Sequence, residues 1–123
     1  MGQSFRDLKA WQKAIELIVA VYGISKSFPK DELYGLTSQL RRAAVSVASN
    51  IAEGSGRLST KEFVQFLSHA RGSISEVQTQ LIVAERLGYL DGLTARQMTA
   101  QADETGRILN GLISSLRKGG AEN

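Results

Sequence analysis

Four apolar stripes, each repeating about every 3.5 residues, constrain this chain more than any other feature. In the first segment Leu8, Trp11, Ile15, Ile18 and Tyr22 recur at steps of three and four. Leu36, Leu40, Ala43, Val47 and Ile51 do so in the second. Phe63, Leu67, Ala70, Ile74, Val77, Leu81 and Ala84 form the third, and Met98, Ala102, Thr105, Leu109, Leu112 and Leu116 the fourth. Such spacing gathers apolar side chains on one face of a helix. A repeat of about 3.5 keeps that face aligned along a neighbour crossing at roughly 20°. No segment alternates apolar and polar residues as a half-buried strand would.

The punctuation between stripes sets the expected bounds: helices over about 5–27, 29–54, 59–87 and 94–118. Ser4 with Asp7, Ser59 with Glu62 and Thr94 with Gln97 match the capping-box spacing, in which the two side chains satisfy free N–H groups at a helix start. Pro29 suits a first helical turn, where its missing N–H would be unpaired anyway. Gly54-Ser55-Gly56 and Gly88 are expected to close helices in the left-handed conformation. The chain beyond Gly119 reads as a frayed tail. Helices 1 and 3 are expected to be the longest. Short loops make successive helices antiparallel. The expected fold class is therefore all-α: a single domain over 1–123, an up-down-up-down four-helix bundle. Helix 1 carries a second stripe, Ala10, Ala14, Leu17, Val21 and Ile24. Two apolar faces on one helix suggest a contact with another subunit as well as with the core.

Composition excludes several function classes. The chain has no Cys, so thiolate metal sites, disulfides and catalytic thiols are out, in keeping with a cytoplasmic protein. No basic-then-apolar leader opens it. The longest apolar run, Ile15–Tyr22, is broken by Glu16 and is far short of the ~20 residues of a membrane span, so no membrane partner is expected. The single His69 has no second His or Cys to share an ion or to serve a nucleophile. The Gly-Ser-Gly at 54–56 lacks the Lys and spacing of a phosphate-binding loop. Neither catalysis nor a cofactor nor a metal is expected. Trp11, Tyr22, Phe63 and Phe66 lie at stripe positions and are read as packing.

The second segment carries a polar column beside its apolar one: Gln39, Arg42, Ser46, Asn50 and Glu53. Folded against the third segment, this column meets the small and polar series containing Ser73 and Glu76. Polar groups withdrawn from water must be paired. The column is read as a hydrogen-bond network within the subunit or between subunits, with Arg42 and Glu76 as its charged pair. A ligand or nucleotide pocket is the alternative. The net charge is +3, from 15 basic and 12 acidic residues, and nine of the basic ones are Arg, a residue suited to planar contacts with phosphate or carboxylate. Arg41, Arg57, Lys61 and Arg71 are the candidates for outward nucleic-acid contact. Repeated by symmetry around a ring, modest basic patches would make a continuous track.

These residues also carry a resemblance. FRDLKAWQKAIEL at 5–17, FPKDELYGLTSQLRRAAVSVASNIAEGSGR at 28–57 and KEFVQFLSHARGSISEVQTQL at 61–81 resemble the 23S rRNA-intervening-sequence proteins, bacterial four-helix-bundle proteins. The resemblance implies an antiparallel four-helix bundle that assembles into ring-like homo-pentamers. Its motif positions fall on Gln39, Arg41, Arg42, Ser46, Asn50, Glu53, Gly54, Phe63, Ser73 and Glu76. Some members of the family are encoded within insertions in 23S rRNA genes. The family is also similar to the basic accessory proteins of diversity-generating retroelements, which associate with nucleic acid. Two functions follow as expectations: an oligomeric bundle that binds RNA or DNA backbone, or a scaffold whose ring presents a surface to another protein.

Overall fold

The computed structural model describes the backbone of residues 4–122 and the side chains of residues 4–119. It contains α1 (Lys9–Ser25), α2 (Leu36–Ser55), α3 (Thr60–Arg86) and α4 (Gly92–Glu122), with 3-10 turns at Phe5–Asp7 and Lys30–Glu32. No strand occurs among the described residues. The four stripes thus fold as four helices. Each helix packs on two neighbours, in the cycle α1, α2, α3, α4 and back to α1.

Local chemistry moves several of the expected boundaries. The Ser4 hydroxyl accepts from the Arg6 N–H at 3.1 Å, so it caps a 3-10 turn, and α1 begins only after extended Leu8. Pro29 opens a second 3-10 turn and not α2. There the Glu32 carboxylate accepts from the Leu36 N–H at 3.1 Å and so caps α2 seven residues later than the proline suggested. Ser59 caps α3 as expected, accepting from the Glu62 N–H at 3.1 Å. At α4, Asp91 and not Thr94 is the cap: its carboxylate accepts from the Thr94 N–H at 2.7 Å, and the helix starts at Gly92. The backbone stays helical to Glu122, where a frayed tail was expected, so α3 and α4 are the longest helices, with 27 and 31 residues.

The two glycine stops behave differently. Gly88 takes φ +80°, and the Tyr89 and Gly88 N–H groups bond the carbonyls of Ala84 and Glu85 at 2.9 Å each. That is the six-to-one and five-to-two pairing that closes a helix through a left-handed residue. Gly56 stays right-handed, and Gly54 lies inside α2, buried. A Cβ at 54 would sit 2.6 Å from the Phe66 Cβ and 3.0 Å from a Phe63 ring carbon. Gly54 therefore serves the close approach of α2 to α3, which the left-handed reading had missed.

The core divides into two clusters along the helices. One gathers Leu17, Val21, Leu40, Val77, Leu81 and Met98 with Phe28 and Leu90 from the connecting turns. The other gathers Val47, Ile51, Leu67, Ile74, Leu109 and Ile113. On α1 it is the second stripe, Ala10, Ala14, Leu17 and Val21, that is fully buried. The first stripe lies at the edge: Trp11, Ile15 and Ile18 are half-buried, Tyr22 is exposed, and neighbouring Val19 is 68% exposed.

Candidate functional site

Two polar grooves run along α3, one on each side. The first lies on the α2/α3 seam. At its floor the half-buried Ser46 hydroxyl accepts from the Ser73 hydroxyl at 2.9 Å and from the Asn50 amide at 3.0 Å, and the same amide donates to the Ser46 carbonyl at 2.8 Å. Small side chains bring these groups together: Ser73 is buried, and Gly72 leaves open space beside it. Around the floor, Gln39, Arg42, Ala43, Ser46, Glu76 and Gln80 line a hollow of about 410 Å³. Ser46 and Glu76 also line its continuation, with Asn50, Phe66 and His69.

The expected network is therefore real at Ser46, Asn50 and Ser73 and absent at its rim. Gln39, Arg42 and Glu76 are exposed. Arg42 and Glu76 border the same hollow, yet they form none of the ion pairs found among the described residues. Glu53 belongs elsewhere: its carboxylate pairs with Arg57 at 2.8 Å, four residues on and just past the end of α2. Gln80, one turn beyond Glu76 in the polar series expected to face this column, places its side-chain oxygen out of water without a partner among the described residues. His69 is exposed and sits edge-on to Phe66, with ring centroids 6.4 Å apart. No group of three potential metal ligands occurs among the described residues.

The expected outward cations are distributed over different surfaces. Arg41 is half-buried and turned to α1, where its Nε donates to the Ser25 hydroxyl at 2.8 Å and its guanidinium lies 4.6 Å from the Tyr22 ring centre. It acts as a tie between α1 and α2, the reverse of the outward role assigned to it. Arg42, assigned inward, is the exposed one. A step of one residue turns a side chain by about 100° around the helix, so the two roles exchange when the face is misjudged by one position. Arg57 lies over the Phe66 ring at 4.6 Å while pairing with Glu53. Lys61 is exposed on the first turn of α3.

Arg71 opens the second groove, on the α3/α4 seam. Its Nη1 donates to the Asn110 side-chain oxygen at 3.4 Å. With Asn110 it lines a hollow of about 360 Å³ that also contains Ser114, Arg117 and Lys118. The same two residues line a further hollow with Ser75, Gln78, Asp103 and Arg107. The Gln78 amide donates to Asp103 at 2.8 Å and holds that carboxylate at one end. Four cations thus share one seam: Arg71, Arg107, Arg117 and Lys118. The ion pairs among the described residues, Lys13 with Glu16 and Glu104, and Arg57 with Glu53, involve none of them. Three of the four lie on α4 and had no signal in the sequence. Arg117 and Lys118 stand ten and eleven residues beyond Arg107, and the three form a cluster only once Arg71 is brought against them from α3.

The described residues define an all-helical, four-helix protein, and none of its helices is long and apolar enough to cross a membrane. The chain matches the 23S rRNA-intervening sequence protein family over residues 6–111 and belongs to that family. The fold is similar to a crystal structure of a protein with unknown function from the S23 ribosomal protein family of Bacteroides thetaiotaomicron. That likeness has a TM-score of 0.78 at 20% identity and covers 85% of this chain and 97% of the other, and it shows the fold alone. No match was found among curated proteins.

Proposed function

We propose that this protein is a non-enzymatic, antiparallel up-down-up-down bundle that assembles into a ring-like homo-oligomer, a pentamer, and binds nucleic-acid backbone through the α3/α4 groove. The single observation that carries the nucleic-acid reading is the clustering of Arg71, Arg107, Arg117 and Lys118 on one seam beside Asn110 and Ser114. Guanidinium, ammonium, hydroxyl and amide donors are the groups that contact phosphate oxygens. Each phosphate neutralised releases counterions, so a few cations in line produce measurable, salt-sensitive affinity.

The antiparallel arrangement is supported by pairs that run in opposite directions along neighbouring helices. Ser46 meets Ser73 while Gly54 meets Phe66, and Arg71 meets Asn110 while Gln78 meets Asp103. Assembly is supported by the half-exposed stripe on α1, where Val19 and Tyr22 present apolar surface at helical spacing. Light scattering on the purified protein, with absorbance at 260 and 280 nm read on the same peak, tests both parts. The expected result is a mass about five times the 13.3 kDa of the chain, with excess 260 nm absorbance at low salt that disappears at high salt. A 13.3 kDa monomer removes the assembly. A protein-like ratio at low salt, with no RNA or DNA retained when added, removes the nucleic-acid reading and leaves the protein scaffold.

A further inference from the structure

We propose that the α3/α4 groove takes the backbone of a nucleic-acid duplex and reads no bases; this rests on the nucleic-acid reading above. Along α4, Arg107 and Arg117 are ten residues apart, which at 1.5 Å per residue is about 15 Å. Arg71 stands between them, opposite Asn110. The cations are therefore held in line by two packed helices, along a straight track. Asp103 closes one end with negative charge, so the track runs from Arg107 toward Lys118.

The chemistry of the lining selects the form of the strand. The remaining groups are Asn110, Ser114, Ser75, Gln78 and the aliphatic Ile74 and Ile113. No aromatic ring lines either hollow. Proteins that hold single strands combine a basic groove with aromatic rings on which unpaired bases stack. Without rings, an unpaired strand gains nothing from its bases here. A duplex offers more to the cations: one negative charge per roughly 1.7 Å of axis, from both strands together, on a stiff and regular backbone. The short polar side chains reach phosphate and sugar, which position a duplex without specifying its sequence.

The test is fluorescence anisotropy with the full chain, using a 20-base-pair DNA duplex, the matching RNA duplex, the separate strands and a second unrelated sequence, from 50 to 200 mM KCl. At least one duplex is expected to bind more than roughly fivefold tighter than its strands, with the two sequences agreeing within about threefold. Four phosphate contacts give a log–log salt slope of about −3.6 per engaged subunit, so Kd rises about 150-fold over that range. Arg107→Gln with Arg117→Gln is expected to reduce the slope by about 1.8 without changing Tm, since both side chains are exposed. The duplex inference is overturned if single strands bind as tightly, if the sequence changes Kd by more than tenfold, or if the double variant keeps the full slope. Single strands that bind tightly and lose slope in the double variant would leave the backbone reading standing and remove the duplex alone. No binding of any of the nucleic acids at 50 mM KCl removes both.

Discussion

The Tyr89 hydroxyl donates to the Glu32 carboxylate at 2.9 Å, across 57 residues of sequence, and ties the turn after α3 to the turn before α2. The other Glu32 oxygen caps α2 through the Leu36 N–H. The Leu36 N–H first, then the Tyr89 hydroxyl, hold the Glu32 carboxyl below its ordinary 4.5. A depressed carboxyl contributes stability that is present above the unfolded value and is lost as pH falls through the lower folded value. The same bond raises Tyr89 above its ordinary 10.0. That contribution is complete below 10.0 and is lost as pH rises through the higher folded value. Tyr89→Phe should lower Tm at pH 7, and the wild-type advantage should shrink below pH 4.5, where Glu32 protonates. Thermal melts of both proteins from pH 3 to 7 check this. A difference that stays constant across that range would show that the carboxylate does not sense the hydroxyl.

Arg41 and Arg71 should separate stability from binding. Arg41→Gln removes the bond to buried Ser25 and the contact with the Tyr22 ring. A charge-assisted bond and a cation–π contact, both partly screened, make this cost about 1–2 kcal/mol, with no change in the salt slope of nucleic-acid binding. Arg71→Gln loses one long bond at the surface and should stay within about 0.5 kcal/mol, while the slope falls by about 0.9. Urea titrations and anisotropy on the two variants give the four numbers. The opposite pattern would return Arg41 to the binding surface.

The stripes made the helices legible because burial on one side of a helix leaves a periodic record in sequence. Caps left a weaker record. Ser59 was readable because its partner Glu62 is local, whereas Glu32 caps α2 from a turn that the sequence presented as helix. The α2/α3 floor was legible at Ser46, Asn50 and Ser73, where small polar residues have little room to turn elsewhere. Arg42 and Glu76 were not, because long charged side chains at the rim are free to stay in water. The basic seam was least legible of all. Arg107, Arg117 and Lys118 gain meaning only from Arg71, 36 to 47 residues away in sequence, and helix periodicity does not record which neighbour a face will meet.

The center of the α2/α3 network and its rim should respond differently to substitution. Ser73→Ala removes a buried donor and leaves the Ser46 hydroxyl with Asn50 alone, at a cost of about 1 kcal/mol. Arg42→Gln and Glu76→Gln change exposed side chains outside the ion pairs among the described residues and should each stay within about 0.5 kcal/mol. Denaturant unfolding of the three variants, and of the Arg42/Glu76 double variant, ranks them. An Arg42→Gln/Glu76→Gln double variant costing about 1 kcal/mol less than the two single costs summed would mean that the two side chains pair in solution after all.

Two glycines in helices that face each other should give opposite signs on replacement by alanine. Alanine is favoured over glycine in a helix interior by about 1 kcal/mol. At Gly72 the new methyl would meet nothing within 4 Å, so Gly72→Ala should stabilise the protein by roughly 0.5–1 kcal/mol. At Gly54 it would lie 2.6 Å from the Phe66 Cβ and 3.3 Å from the Phe63 carbonyl oxygen, atoms of a packed helix that do not swing aside. Separating α2 from α3 there disturbs Ile51 and Leu67, both fully buried, and overpacking of this kind costs about 1–3 kcal/mol even after the helix gain. Chemical denaturation of Gly54→Ala and Gly72→Ala measures both. Gly54→Ala as stable as wild type would mean that the seam opens freely at this end, and the close α2/α3 approach would no longer explain the glycine.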